Sequence, residues 1–284
     1  MATPQQPKDH WSAEKYHSAA SFVPKLTSTV LTYLAPQPQD KILDLGCGDG
    51  VLTAQIAAAV SSSDGGKVLG LDASPSFIDS AKRNHEGTTC SFHLQDCTRL
   101  EGCAELREGG WDKVFSNAAL HWILRAPETR ESVFRRVHEA LEPGGKFVFE
   151  MGGAGNVAEV QAGFTAALVS KGGLTLREAR EASPWFFPST QWMSQMLGRV
   201  GFEVEVCELE YRPTECSPER ADGSGGLGGW LRLMGAQFLE AVPEGRREEV
   251  LREVEGIVEG VVRREEDGSR WLGYVRLRAV ARKK

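Results

Sequence analysis

Residues 41–57 read KILDLGCGDGVLTAQIA, and residues 67–75 read KVLGLDASP. In the first stretch a short apolar run, Ile42, Leu43 and Leu45, carries Asp44 into a turn with glycines at 46, 48 and 50. An alanine-rich stretch follows and predicts a helix from about Leu52 to Val60. The second stretch predicts a strand, Val68–Leu71, that runs into Asp72, 22 residues after the last glycine. Strand, glycine turn, helix and a second strand ending in a carboxylate form a unit that holds an adenosine-bearing cofactor. Glycines let the backbone approach the ligand, and the carboxylate accepts hydrogen bonds from ribose hydroxyls.

The pattern continues outward from this unit. Ser74 and Pro75 are suited to cap and open a helix reaching about Asn84. Strands are expected at Cys90–Leu94, Lys113–Ser116 and Lys146–Met151, with a helix over roughly Arg130–Leu141 before the turn Glu142-Pro143-Gly144-Gly145. Such alternation implies a parallel sheet covered by helices on both faces. Upstream, apolar residues at three- and four-residue spacings predict a helix from Trp11 to Leu34. Downstream, helices are expected at Val157–Ser170, Thr190–Arg199, Leu227–Ala241 and Glu244–Val262, the last with an apolar stripe of Val250, Val254, Ile257, Val258 and Val261. Phe202–Tyr211 and Trp271–Val280 alternate like strands. The expected architecture is an α/β, Rossmann-like, seven-stranded, mostly parallel sheet with helices on both faces. Residues 1–40 would form a helical lid, 41–155 the core, and 156–284 a helical cap together with the last two strands.

Composition narrows the function. The chain has 284 residues, 41% hydrophobic and 25% charged, with a formal net charge of −6. That is enough to bury a full α/β core. The acidic balance does not indicate a nucleic-acid partner. No apolar run of about 18 residues is present to cross a membrane, and MATPQQPKDHW lacks a signal core. A cytoplasmic protein, monomeric or weakly dimeric, is expected. The six cysteines form no C-x-x-C pair; even with His93 among Cys90, Cys97 and Cys103, free thiols are expected and no metal site.

A G-x-G turn also serves nicotinamide and flavin enzymes. Here the final small residue of the dinucleotide fingerprint falls at Val51, and Asp44 precedes the turn. A carboxylate there would repel a pyrophosphate and attract a cationic cofactor. The segments DLGCGDG (44–50), GLDASP (70–75), Asp96, SNAALHW (116–122) and LEPGG (141–145) resemble the successive motifs of class I S-adenosylmethionine (SAM)-dependent methyltransferases. Within that class the chain is similar to the trans-aconitate methyltransferase group, in W-S-x-x-x-Y near the start, a tryptophan helix in the cap and a closing aromatic/arginine strand. The resemblance implies a small-molecule methyltransferase acting on a carboxylate, with SAM as cofactor. It implies that Gly46, Cys47, Gly48 and Gly50 pass under the methionine portion, with Asp44 supporting the turn. Asp72 would take the ribose, Ala73 and Phe77 the adenine, and Asp96 with Cys97 the adenine amino group. Asn117 would sit under the methionine amino group, and Tyr16 or His17 would close the pocket.

Methyl transfer from a sulfonium is an in-line displacement whose leaving group needs no proton, so positioning and desolvation suffice for an ionised acceptor. A hydroxyl or amine acceptor would want a base, and His121 beside Trp122 is the candidate. Trp122, Trp185 and Trp230, along with Phe186, Phe187 and Trp192, are candidates for an apolar substrate pocket. Arg232 is the candidate for carboxylate recognition, although the arginine pattern expected for a tricarboxylate is absent. Three other readings stand beside this one: another small-metabolite O- or N-methyltransferase, an NAD-dependent oxidoreductase and a non-catalytic SAM-binding protein.

Overall fold

The computed structural model describes residues 28–220 and 222–284. Residues 1–27 of the expected lid, most of the helix expected from Trp11 and the candidates Tyr16 and His17 lie outside the described residues; Ser28–Leu34, within the expected helix, form α1. The strands are β1 (Lys41–Leu45), β2 (Lys67–Asp72), β3 (Cys90–Leu94), β4 (Trp111–Asn117), β5 (Leu141–Gly152), β6 (Phe202–Tyr211), β7 (Thr214–Glu215), β8 (Trp271–Leu272) and β9 (Val275–Lys283). Seven of them form one sheet in the order β3-β2-β1-β4-β5-β9-β6. β1 to β5 are parallel, and β9 runs antiparallel between β5 and β6. The mostly parallel, Rossmann-like sheet expected from the alternation is the one observed.

Successive residues of a strand point to opposite faces, so each strand feeds two cores. Ile42, Val148 and Val280 face α1, α2 (Val51–Ala57) and α3 (Pro75–His85). Their neighbours Leu43, Phe147, Phe149, Ala279 and Ala281 face the other side. There they pack under α4 (Ala104–Glu108), α5 (Leu120–Ile123), α6 (Arg130–Ala140) and α9 (Thr190–Arg199). The start of α3 is as the sequence indicates: Ser74 Oγ accepts from Phe77 N at 3.2 Å and Pro75 occupies the first turn.

A third apolar cluster belongs to the cap, built from α7 (Ala158–Ser170), α8 (Leu176–Glu181), α10 (Gly226–Met234), α11 (Ala236–Glu240) and α12 (Glu244–Val262). Three expectations change here. The tryptophan helix is two helices, broken at Gly235, where a Cβ would stand 2.3 Å from the Phe164 ring. The stripe of α12 is rotated: Val250, Leu251, Val254, Val258 and Val262 are buried, whereas Ile257 and Val261 are 42% and 74% exposed. The last strand is also two pieces. Trp271–Leu272 pairs with Thr214–Glu215 in a separate ribbon, and the chain turns at Gly273 into β9. α8 has no counterpart in the sequence reading, although Thr175 and Glu178 form a full capping box at its start. Among the described residues no helix is long and apolar enough to cross a membrane.

Candidate active site

The glycine turn lies at the carboxyl ends of β1, β2 and β4, the crevice where open parallel sheets bind ligands. Two backbone bonds tie it to β2, from Gly46 N and Cys47 N to Leu71 O at 2.7 and 3.0 Å. Asp72 is pinned in turn, accepting from Gly48 N and from Ser74 N, each at 2.9 Å. The glycines divide the work. Gly46 has φ 75°, and a Cβ there would stand 2.2 Å from that of Ala119. Gly48, at φ 56°, has open space where a Cβ would be, so its backbone is bare to a ligand. Gly50 does not line the cavity, contrary to expectation. It starts α2 at φ 82°, with Phe92 and Ala81 against its missing side chain.

A cavity of about 240 Å³ opens over this turn. Asp44, Gly46, Cys47, Gly48, Asp72, Ala73, Phe77, Asp96, Cys97 and Asn117 all line it, as do Asp49, Val51, Leu52 and Thr98, which the sequence did not single out. Among the described residues four aspartates and no lysine, arginine or histidine line the cavity. This donor set fits a cation with hydrogen-bonding hydroxyls and opposes a pyrophosphate. Asp44 is 2% exposed and accepts from Thr53 Oγ1 at 2.7 Å. Burial raises its pKa to about 7, against the Thr53 hydrogen bond and with the help of the Asp72 charge. Asp96 accepts from the backbone and hydroxyl of Thr98 at 2.9 and 2.7 Å. Asn117 Oδ1 is buried and has no hydrogen-bond partner among the described residues. A buried acceptor of that kind suits an ammonium donor on the ligand. The thiols of Cys47 and Cys97 are held protonated by burial, their pKa values pushed well above the usual range.

A second cavity, of about 40 Å³, adjoins the first: Ala118 and Trp122 line both. The predicted residues His121, Trp122, Trp185 and Trp230 meet here. The rings stack edge to face, Trp122 on Trp185 at 5.7 Å, with His121 5.6 Å from Phe187. His121 is 7% exposed, and its Nδ1 accepts from Gly152 N at 3.3 Å. The proton of the neutral ring is therefore on Nε2. Burial and then the Arg276 charge lower its pKa to about 3. A ring in that state is a hydrogen-bond donor and a poor base, which corrects the role expected of it.

Other residues depart from expectation as well. Arg232 is outside both cavities, ion-paired with Glu248 at 2.9 Å on the surface of the cap. Phe186 and Trp192 belong to the sheet core, their rings 4.8 Å apart. The guanidinium that does line the second cavity is Arg276, which the sequence reading missed. Its signal was faint: arginines at 276 and 278 alternating with apolar residues in the closing strand. Arg276 is 4% exposed and lies over the Tyr274 ring at 4.4 Å. Behind it Glu150 bonds Arg212 at 2.7 Å and Arg278 at 3.3 Å, and stands 4.0 Å from Arg276. Asn156, Val157 and Tyr274 complete the walls. Ala118 and Val157 both adopt left-handed backbone, at φ 55° and 42°, an outlier for a β-branched valine. Ala118 N is held by Glu150 O at 2.8 Å and Val157 N by Gly273 O at 3.0 Å. Strain of this kind is stored at working sites.

Fold and site together define an α/β enzyme with a cation-attracting adenosine site beside a small aromatic pocket. Comparison with known proteins agrees. Residues 42–145 match the methyltransferase domain family. A Schizosaccharomyces pombe protein described as an uncharacterized methyltransferase is 36% identical over 277 residues, 98% of this chain and 99% of that one. A trans-aconitate 2-methyltransferase of Delftia acidovorans is 24% identical over 248 residues, covering 86% of this chain and 87% of that one. The fold is shared with a SAM-dependent methyltransferase structure from Anabaena variabilis at a TM-score of 0.51 and 15% identity, over 99% of this chain and 89% of that one. The chain belongs to the class I SAM-dependent methyltransferases, and its cofactor is SAM.

Proposed function

We propose that the protein methylates a carboxylate oxygen of a small molecule, with the cofactor in the larger cavity and the acceptor in the aromatic one. The observation that carries this reading is the state of His121. Among the described residues it is the one histidine lining either cavity, and its Nδ1 is engaged by Gly152 N while its proton is on Nε2. A hydroxyl or amine acceptor needs a base at the reacting atom; a carboxylate, with an ordinary pKa of about 4, arrives ionised. The Delftia relative is named a trans-aconitate 2-methyltransferase, and aconitate is a carboxylate, which supports the same reading.

The roles follow from the geometry. Asp72 would take the ribose hydroxyls, its carboxylate held in place by Gly48 N and Ser74 N. Asn117 Oδ1 would accept from the ammonium end, and Asp44, braced by Thr53, would face the positive charge. When bound, SAM supplies an electrophilic methyl carbon and a thioether leaving group that needs no proton. Ala118 and Trp122, common to both cavities, mark the seam across which the acceptor oxygen approaches. Trp122, Trp185 and Trp230 keep water from that oxygen, and desolvation sharpens its reactivity. The acidic balance of the chain fits a small-molecule enzyme of the cytoplasm, monomeric or weakly dimeric, without a nucleic-acid or membrane partner.

The test is to supply methyl-labelled SAM with a pool of carboxylic acids, alcohols and amines. Label should enter an acid and be released as methanol by mild alkali, as an ester requires. Label that enters only alcohols or amines and resists alkali would contradict the carboxylate reading.

A further inference from the structure

Asn156 is only 3% exposed and lines the aromatic cavity. Its amide is oriented by the backbone, since Oδ1 accepts from Val275 N at 2.8 Å. That bond settles which end of the amide is oxygen and turns Nδ2 the other way. Nδ2 has no hydrogen-bond partner among the described residues, yet it keeps accessible surface instead of being sealed in the core. In so enclosed a residue that surface belongs to the cavity it lines. His121 is held in a matching way: Nδ1 accepts from Gly152 N at 3.3 Å, which leaves Nε2–H to donate. Gly152 and Val275 lie on the neighbouring strands β5 and β9, joined beside them by Gly153 N on Val275 O at 2.9 Å. Two backbone N–H groups of one strand pair thus orient two side chains of one cavity. Gly152 is also needed for room, because a Cβ there would stand 2.8 Å from Asn156 Nδ2 and 2.4 Å from the Phe187 ring. Next to Asn156, Val157 carries its left-handed backbone, a cost met where a segment is held for work.

We infer that Asn156 is an acceptor-binding residue, its Nδ2–H2 group joining His121 Nε2–H to hold the carboxylate oxygen that does not react. The inference rests on the carboxylate reading above and goes beyond it by naming the donors that grip the acceptor. A cavity of about 40 Å³ takes roughly three water-sized groups, which is the size of a carboxylate and not of a whole acceptor. The clamp is therefore a seat for the reacting group alone. Arg276 lines the same cavity, and its charge favours an anion there. With one oxygen held, the other is bare toward the seam at Ala118 and Trp122. That oxygen forms the new carbon–oxygen bond while the methyl–sulfur bond breaks with its electron pair staying on sulfur. The held oxygen becomes the ester carbonyl. An amine would set N–H against N–H at Asn156, so the same group that grips an acid turns an amine away.

Acetate is the probe, because it fits the cavity. The full chain saturated with S-adenosylhomocysteine is titrated with acetate, and separately with methylammonium, while side-chain amides are followed by proton–nitrogen NMR. The Asn156 pair is assigned in the unaltered protein through its proximity to Val275 N–H. Acetate should move an Nδ2 proton downfield, and methylammonium should not; no movement with acetate would overturn the inference. Kinetics supply the second arm, with methyl-labelled SAM and a mixture of acetate, hexanoate, benzoate and propane-1,2,3-tricarboxylate. Asn156→Asp keeps the acceptor for Val275 N and puts an oxygen where Nδ2 stands. It should lower alkali-labile transfer by roughly 10- to 100-fold at low acceptor concentration, as for a lost charge-assisted hydrogen bond, with calorimetric SAM affinity unchanged. An Asn156→Asp protein that binds SAM, melts lower and esterifies at full rate would show a structural role only, and would leave the carboxylate reading standing. Alkali-stable label on every accepted compound would overturn both. The acetate titration needs no variant, so it decides the matter even where Asn156→Asp fails to fold.

Discussion

Asp44 is under two opposed demands. Its carboxyl is buried near the end of β1, where desolvation lifts its pKa from 3.8 to about 7, yet in the proposed complex it would face a cationic cofactor that favours the ionised form. The sign of the pH effect follows. Between pH 3.8 and 7 the folded protein binds a proton that the unfolded chain does not, so the penalty of ionising Asp44 is absent below about pH 4 and complete above about pH 7. Asp44→Asn removes that penalty while keeping an acceptor for Thr53. At pH 8 it should stabilise the free protein by about 1–3 kcal/mol, with the gain vanishing toward pH 4; urea titrations at the two pH values check this. The same change should weaken SAM binding. In the unaltered protein SAM affinity should fall as pH drops below about 7, by at most roughly tenfold per unit, because binding must then expel one proton; calorimetry in two buffers of different ionisation heat reads that proton. Asp72→Ala should cost SAM about 1–3 kcal/mol of affinity, the value of a charged hydrogen bond. Unchanged affinity in a folded variant would refute the ribose assignment.

At the scale of elements, what was legible depended on whether the signal was local. The glycine turn, Asp72 at the end of β2 and the cap at Ser74 are written in consecutive residues, and each is where its spacing places it. The cap's internal packing is not local. Nothing near Gly235 says that Phe164, some seventy residues earlier, lies where its side chain would be. Similarly, the buried face of α12 is set by its neighbour α7: Gly163 leaves room for Val258, whose side chain would otherwise meet a Cβ at 2.8 Å. Periodicity alone therefore picked Ile257 and Val261, which face solvent. Arg276 was hidden for the same reason, since its meaning comes from Trp185, Trp230 and His121 on three other segments. Gly235→Ala should destabilise the protein by about 1–3 kcal/mol through overpacking against Phe164. A lowered midpoint in thermal melts with SAM affinity intact would place that effect in the cap.

At the scale of the whole molecule, the sheet and the cap have separate apolar clusters; the smaller cavity lies where they meet, and the larger one adjoins it at the crevice of the sheet. Trp122 and Phe187 pack against the cap cluster, while Arg125 on the core side bonds Gln237 of α11. A ligand that binds only the folded state stabilises it by about 2.7 kcal/mol at a hundredfold excess over Kd. For a chain of this size, S-adenosylhomocysteine should therefore raise the melting temperature by roughly 5–10 °C, and NAD should not. The central claim, one active site spanning a cofactor cavity and an acceptor cavity, is tested most directly by a crystal structure with S-adenosylhomocysteine. The account predicts both ribose hydroxyls within hydrogen-bond distance of Asp72, the ammonium group at Asn117 and the sulfur facing the seam at Ala118 and Trp122. A ribose away from Asp72, or a sulfur turned from that seam, would contradict it.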